Sequence, residues 1–265
     1  MSDISYHRPA SLAEAARLAV SDPDARVLAG GQSVLPSMRL GLLAPSALID
    51  LAAIGELQGI GSDGRTLTIG AMTTHAAVAA SQEVRAKLPA LAQLAAGIGD
   101  AQVRNRGTIG GSLANSDPAA DYPAAVLALN ASIRTSARAI AADRFFTGLF
   151  STALEPGELI GALDFPLAVQ AAYAKFPQPA SRFALVGVFV ARVGQAVRVA
   201  VTGAGACVFR ATALETALGR SFTPQACDGV RIDPGTLSSD IHGSAEYRAH
   251  LIPVLARRAV QQLLG

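Results

Sequence analysis

The stretch from Gly97 to Pro123, GIGDAQVRNRGTIGGSLANSDPAADYP, constrains the fold more than any other part of this 265-residue chain. Its Gly, Asn and Asp content favours turns over regular elements. Irregular segments longer than about 12–15 residues inside a compact domain are usually functional or disordered. Ile98, Val103, Ile109 and Leu113 recur through it and argue against disorder, so a long functional loop is expected. Within it, Gly107-Thr108-Ile109-Gly110-Gly111-Ser112 has the composition of an earlier segment, Ala29-Gly30-Gly31-Gln32-Ser33, which follows a predicted strand. Adjacent glycines permit positive φ and let backbone N–H groups converge on one point, a nest that binds anions such as phosphate. Two such nests in one domain are suited to hold the two phosphates of a dinucleotide from opposite sides. Taken singly, each pair is also consistent with a tight turn. Neither segment is G-x-G-x-x-G or a Walker sequence with Lys-Ser/Thr, which argues against a Rossmann or P-loop site. Asp121 is suited either to accept from a ribose hydroxyl or ring N–H or to cap the helix that follows.

The surrounding elements alternate between strands and short helices. Ser11–Val20 reads as a helix with Ser11 as N-cap, and Arg26–Ala29, Ala47–Leu51 and Thr66–Ala71 read as strands. Thr74 caps a helix through Ser81, and another runs from Ala90 to Ala96 and stops at Gly97. Ala124–Leu129 is an expected buried helix, and Ala131–Thr135 and Glu158–Phe165 are expected strands. The last third changes character. Phe183–Arg192 and Ala196–Thr202 form a hairpin pattern, followed by helices over Ala211–Leu218 and Ser244–Leu264. A domain boundary is expected near Pro166.

Composition excludes several functions. Net charge is +2 with 16% charged residues, so no extended basic surface for nucleic acid is expected. No run approaches the roughly 18 apolar residues of a membrane span, and Met1–Pro9 lacks the apolar core of a signal peptide, so a cytoplasmic protein is expected. Two cysteines, Cys207 and Cys227, cannot build a disulfide framework or an iron–sulfur site, and the four scattered histidines offer no metal-ligand spacing. No arrangement for nucleophilic catalysis is present, so no catalytic residue is assigned. The 54 alanines and 25 glycines leave room for a flat cofactor, although codon bias is the preferred account of the alanines.

Taken together, Ala29–Leu51 (AGGQSVLPSMRLGLLAPSALIDL) and Gln102–Leu129 (QVRNRGTIGGSLANSDPAADYPAAVLAL) resemble the FAD-binding medium subunits of molybdenum hydroxylases. This is the family of the carbon monoxide dehydrogenase medium subunit and the xanthine dehydrogenase FAD-binding subunit. The resemblance continues through Ala153–Pro166, Tyr173–Val188 and Ser244–Val260 and so covers nearly the whole chain. It implies an α+β fold: a vanillyl-alcohol-oxidase/PCMH-type FAD-binding domain over 1–166, with subdomains of about 1–55 and 56–166. A small α+β domain with a three-stranded antiparallel sheet is implied over 167–265. Carried over by position, the cofactor-binding residues are Ala29, Gly30, Gly31, Gln32, Ser33 and Val34 from the first segment. The second supplies Thr108, Gly110, Gly111, Ser112 and Asn115, with Asp121 as an acidic contact. Ile160 (or Leu159) and Lys175 match positions near the isoalloxazine, where a cation would favour an anionic reduced ring. Lys175 is equally consistent with a snorkelling surface residue. Arg182 stands where many relatives carry Asp, which reverses the local charge. His75 lies in a loop similar to one near the family's non-covalent FAD.

The family's role is electron transfer within a complex. A large subunit holds the molybdenum cofactor, a small subunit carries two [2Fe–2S] clusters, and the FAD subunit passes electrons to an external acceptor, with a dimer of heterotrimers as the expected assembly. Two other functions compete with this one. The first is a self-contained FAD reductase or oxidase of the same fold, such as an enolpyruvyl-glucosamine reductase. The second is a non-enzymatic nucleotide-binding assembly module.

Overall fold

The computed structural model describes residues 4–167 and 169–265. It opens with β1 (Ser5–His7), α1 (Leu12–Ser21), β2 (Arg26–Leu28), α2 (Val34–Arg39) and β3 (Ala47–Asp50). α1 places Leu12, Ala15, Ala16 and Ala19 on one apolar face, and the Ser11 hydroxyl caps it by accepting from the Glu14 N–H. The three strands form a parallel sheet in the order β1-β3-β2. Ala15, Ile49, Leu51, Ile54 and Leu57 join in one core between this sheet and α1.

The next unit is built on a second sheet. Its strands are β4 (Ile60–Ser62), β5 (Thr66–Gly70), β6 (Ser132–Thr135), β7 (Ala139–Ala141) and β10 (Ile160–Pro166). They lie in the order β4-β5-β10-β6-β7, and every neighbour is antiparallel. A small hairpin, β8 (Phe146–Gly148) with β9 (Ser151–Thr152), sits beside them. Between β5 and β6 run six helices: α3 (His75–Ala80), α4 (Gln82–Lys87), α5 (Pro89–Ala96), α6 (Ala101–Arg106), α7 (Ile109–Asn115) and α8 (Tyr122–Ala128). Leu67, Ile69, Ile133 and Leu163 from the sheet share one core with Leu91, Leu94 and Val126 from the helices.

The segment Gly97–Pro123 corrects the sequence expectation, because it is no long loop. It folds into α6 and α7, each started by a side-chain cap. Asp100 accepts from the Val103 N–H at 2.8 Å, and Thr108 accepts from the Gly111 N–H at 3.1 Å. Glycine inside a helix costs about 1 kcal/mol relative to alanine, which is why its composition reads as loop. Packing supplies the reason for tolerating it: a Cβ on Gly110 would lie 2.5 Å from the Cβ of Ala71.

The last third contains β11 (Gln170–Pro177), β12 (Ala184–Val193), β13 (Ala196–Thr202), β14 (Phe209–Arg210), α9 (Thr212–Arg220) and α10 (Ala245–Leu264). Its antiparallel sheet has four strands, not the three expected. The fourth, β14, is a two-residue edge pairing with Ala200 and Val201, too short to leave a pattern in the sequence. β12 is buried at every position from Ala184 to Ala191. Its two faces meet different cores: Phe189 and Ala191 face the helices of the preceding unit, and Val186, Val188 and Val190 join the core of α9 and α10. Burial on both faces explains a continuous apolar run in place of alternation. No helix among the described residues is long and apolar enough to cross a membrane.

Candidate functional site

β2 ends at Leu28, and the chain turns through Ala29–Ser33 into α2. Gly31 sits at φ +74°, where a side chain is disfavoured. Gly30 answers a different need: a Cβ there would lie 2.1 Å from the carbonyl oxygen of Arg106 and 2.7 Å from the Cα of Gly107. The first glycine segment therefore touches the backbone that leads into the second. Among the described residues, the N–H groups of Gly30, Gly31, Gln32, Ser33 and Val34 have no hydrogen-bond partner within the chain. Five consecutive free donors, running into the start of a helix, form a cradle for an anion.

The second segment is built differently from the expected second nest. Its N–H groups are already engaged: Ile109 donates to the Thr73 carbonyl, Gly110 to Ala71, Gly111 to the Thr108 hydroxyl and Ser112 to the Thr108 carbonyl. Neither Gly110 nor Gly111 has positive φ. The two glycines provide closeness instead. Gly110 lets α7 approach the end of β5, and a Cβ on Gly111 would lie 3.3 Å from the Cβ of Ala29. A cleft of about 820 Å³ opens between the two segments, near the upper end of small-molecule pockets. Ala29 to Val34, Thr108, Gly110, Gly111, Ser112, Asn115, Asp121 and Ile160 all line it.

Asp121 is only 4% exposed and does not cap α8. Its Oδ1 accepts from the Tyr173 hydroxyl at 2.6 Å and pairs with Lys175 Nζ at 2.9 Å, while Oδ2 has no partner among the described residues. Burial pushes the Asp121 carboxyl above the usual carboxylate range, against the opposing pull of Lys175 and Tyr173. Lys175 also donates to the carbonyls of Gly97 and Arg182, at 3.0 Å each. It therefore stands behind Asp121, neither on the cleft wall nor snorkelling at the surface. Arg182 does reach the wall; it has φ +61°, and its guanidinium donates to the Gly99 carbonyl at 3.2 Å.

Three further groups shape the site. Glu158 lines the cleft beside Ile160 and is clamped by Arg138 at 3.0 Å and the Thr135 hydroxyl at 2.6 Å. These contacts hold its carboxyl down to about 2. His75, the first residue of α3, lies on the wall beneath the second segment, and burial with the nearby Arg104 charge holds its imidazole down to about 4. Tyr173 was missed by sequence reasoning. The period of two along β11 was the available signal, because it puts Tyr173 on the same face as Lys175.

A flavin dinucleotide fits this donor set. The five free N–H groups suit a pyrophosphate, the unpartnered side chains of Gln32, Ser33, Ser112 and Asn115 add adaptable polar contacts, and Asp121 Oδ2 is available to a hydroxyl or N–H. Fold and cleft together define a dinucleotide-cofactor-binding protein of the α+β class.

Comparison with known proteins narrows that class. Residues 2–168 match the family described as FAD binding domain in molybdopterin dehydrogenase. Residues 171–263 match the CO dehydrogenase flavoprotein C-terminal domain. The chain is 35% identical to the carbon monoxide dehydrogenase medium chain of Afipia carboxidovorans, covering 97% of this chain and 95% of that one. It is 36% identical to the nicotine 6-hydroxylase medium subunit of Paenarthrobacter nicotinovorans, covering 97% and 96%. Its structure matches the reconstituted CO dehydrogenase from Oligotropha carboxidovorans with a TM-score of 0.91 and 34% identity, covering 98% of this chain and 97% of that one. The chain belongs to the FAD-binding medium-subunit family of molybdenum hydroxylase-type dehydrogenases. FAD is its cofactor, and it is an oxidoreductase subunit.

Proposed function

We propose that this chain carries electrons out of a molybdenum hydroxylase complex. They arrive from the [2Fe–2S] clusters of a small subunit, which serves a large subunit bearing the molybdenum cofactor, and leave to an external acceptor. A dimer of heterotrimers is the assembly proposed with this role, and 1–166 and 167–265 are the proposed division of the chain. When bound, FAD supplies the redox-active ring. The protein's contribution is position and charge. The backbone of Ala29–Val34 holds the pyrophosphate, and Thr108, Gly110, Gly111, Ser112 and Asn115 form the facing wall. Asp121, fixed by Tyr173 and Lys175, accepts from the cofactor through Oδ2. Ile160 packs near the ring, while Arg182 places positive charge on the wall.

The observation that carries this reading is the run of five unpaired N–H groups at Gly30–Val34, facing a cleft that contains Asp121. The test is to load the full chain with FAD and add a separately purified, reduced iron–sulfur subunit of its own complex. The expected result is loss of the oxidised-flavin absorbance band on mixing, and recovery on adding an electron acceptor. Steady turnover of an organic substrate by the chain alone would instead establish a self-contained oxidase or reductase.

A further inference from the structure

Two buried polar atoms in the described residues lack any hydrogen-bond partner, Nδ1 of His75 and the hydroxyl of Tyr122. They belong to neighbouring rings, with centroids 5.3 Å apart and planes tilted by 50°. His75 is 5% exposed and Tyr122 is fully buried. An orphaned polar atom of this kind costs about 1–3 kcal/mol, so two side by side need a joint explanation.

The backbone fixes where the imidazole sits. His75 N–H donates to the Gly107 carbonyl at 2.9 Å, and Ile109 N–H donates to the Thr73 carbonyl at 3.1 Å, on either side of a bridge between Thr74 and Thr108. The ring is thus pinned under the second glycine segment. Gly107 is glycine because of it: a Cβ there would lie 2.5 Å from His75 Nε2. Nδ1 is sealed inside, whereas Nε2 is not among the sealed atoms, and His75 lines the cleft. Burial and Arg104 keep the ring neutral at physiological pH.

A neutral imidazole has one donor and one acceptor nitrogen. The buried phenol has one proton and needs an acceptor. In a direct bond between the two, only an unprotonated Nδ1 satisfies both orphans, because an Nδ1–H donated to the phenol oxygen would leave the phenol proton stranded. We infer that His75 is a cofactor-binding residue whose tautomer is set by Tyr122: the neighbouring rings turn so that the phenol serves Nδ1 directly, and Nε2–H is offered to an oxygen of the bound FAD. Tyr122 is then a positioning residue. This inference rests on the cleft being the FAD site.

The test uses the full chain labelled with ¹⁵N-histidine, together with FAD titrations. At pH 7 the wild type should show His75 with Nε2 protonated and Nδ1 bare, and FAD should shift the Nε2–H resonance. Tyr122→Phe should release the lock and give mixed tautomers. His75→Ala should weaken FAD binding about ten- to a hundredfold, while His75→Gln, which keeps an N–H at that reach, should stay within about threefold. Thermal melts of the FAD-free variants identify any that misfold, and the wild-type spectrum and His75→Gln decide the matter if His75→Ala does not fold. A wild-type Nδ1–H tautomer, or a folded His75→Ala that binds FAD as tightly as wild type, overturns this inference alone. A wild type that binds FAD equally well after loss of the Gly30–Val34 cradle overturns the site assignment and this inference with it.

Discussion

Gly30→Ala is the sharpest test of how the cleft is held together. The added methyl would lie 2.1 Å from the Arg106 carbonyl oxygen, and relieving that overlap to a tight contact requires the two segments to part by about 1 Å. Neither neighbour yields easily, since both contacts are backbone. Overpacking of this kind costs about 1–3 kcal/mol of folding stability. The effect on the cofactor is larger. A 1 Å shift takes the N–H groups of Gly30 and Gly31 out of line with a bound phosphate, and losing two charge-assisted hydrogen bonds of about 1.5 kcal/mol each weakens binding by about a hundredfold. Gly55→Ala is the matched control, because nothing lies within 4 Å of its Cβ position and its φ is not positive. The assay is quenching of FAD fluorescence on titration, with thermal melts of the cofactor-free proteins alongside. Retention of wild-type affinity and melting temperature by Gly30→Ala would refute the claim that close approach of the two segments builds the site.

Other perturbations probe other parts of the same assembly. Lys175→Met strands the buried Asp121 carboxylate and should destabilise the chain by about 3–5 kcal/mol in urea unfolding; a change below about 1 kcal/mol would show that Lys175 is not the group compensating it. Gly187→Ala, on β12, would put a methyl 2.3 Å from the Tyr173 hydroxyl. It should push that hydroxyl off Asp121 and weaken FAD binding from a position outside the cleft wall. Acid should destabilise the chain through His75. Its folded value, about 4, lies below the usual value near 6.5, so the folded state binds fewer protons and its advantage is complete above pH 6.5. About 3 kcal/mol should be lost as pH falls from 6.5 through 4, and His75→Gln should flatten that slope in unfolding curves at pH 7, 5 and 4. Glu158 adds a loss of the same sign at lower pH, between about 4.5 and about 2.

The sequence exposed contacts between chemistry-bearing residues better than it exposed their geometry. Gly30, Gly31, Gly110 and Gly111 are visible as pairs, and they do meet across one cleft. What each glycine does was not visible, because φ and close approach leave the same letter. Only Gly31 is glycine for its φ, while Gly30 and Gly110 are glycine because backbone or a methyl group stands where a Cβ would go. The helices in Gly97–Pro123 were hidden for a related reason: their caps, Asp100 and Thr108, sit among residues that also favour turns. The hairpin of β12 and β13 was plain from its apolar runs, and β14 was not, since two residues carry no period. Asp121 was legible as a special acid, but its partners Tyr173 and Lys175 lie far along the chain. Such pairings are set by tertiary packing, which a local pattern does not encode.

The anchoring of Lys175 has a consequence for how this chain tolerates rearrangement. One ammonium joins Asp121 and Gly97 on one side of the proposed division to Arg182 on the other, and Phe189 and Ala191 extend the first core across the same line. The two parts match separate sequence families, yet they share one apolar core and one buried ion pair. A chimera that exchanges the final third between relatives inherits a mismatched backing for Asp121 unless the incoming third carries Tyr, Lys and Gly at positions 173, 175 and 187. Modular swapping along this chain is therefore constrained by a handful of buried polar partners that cross the division.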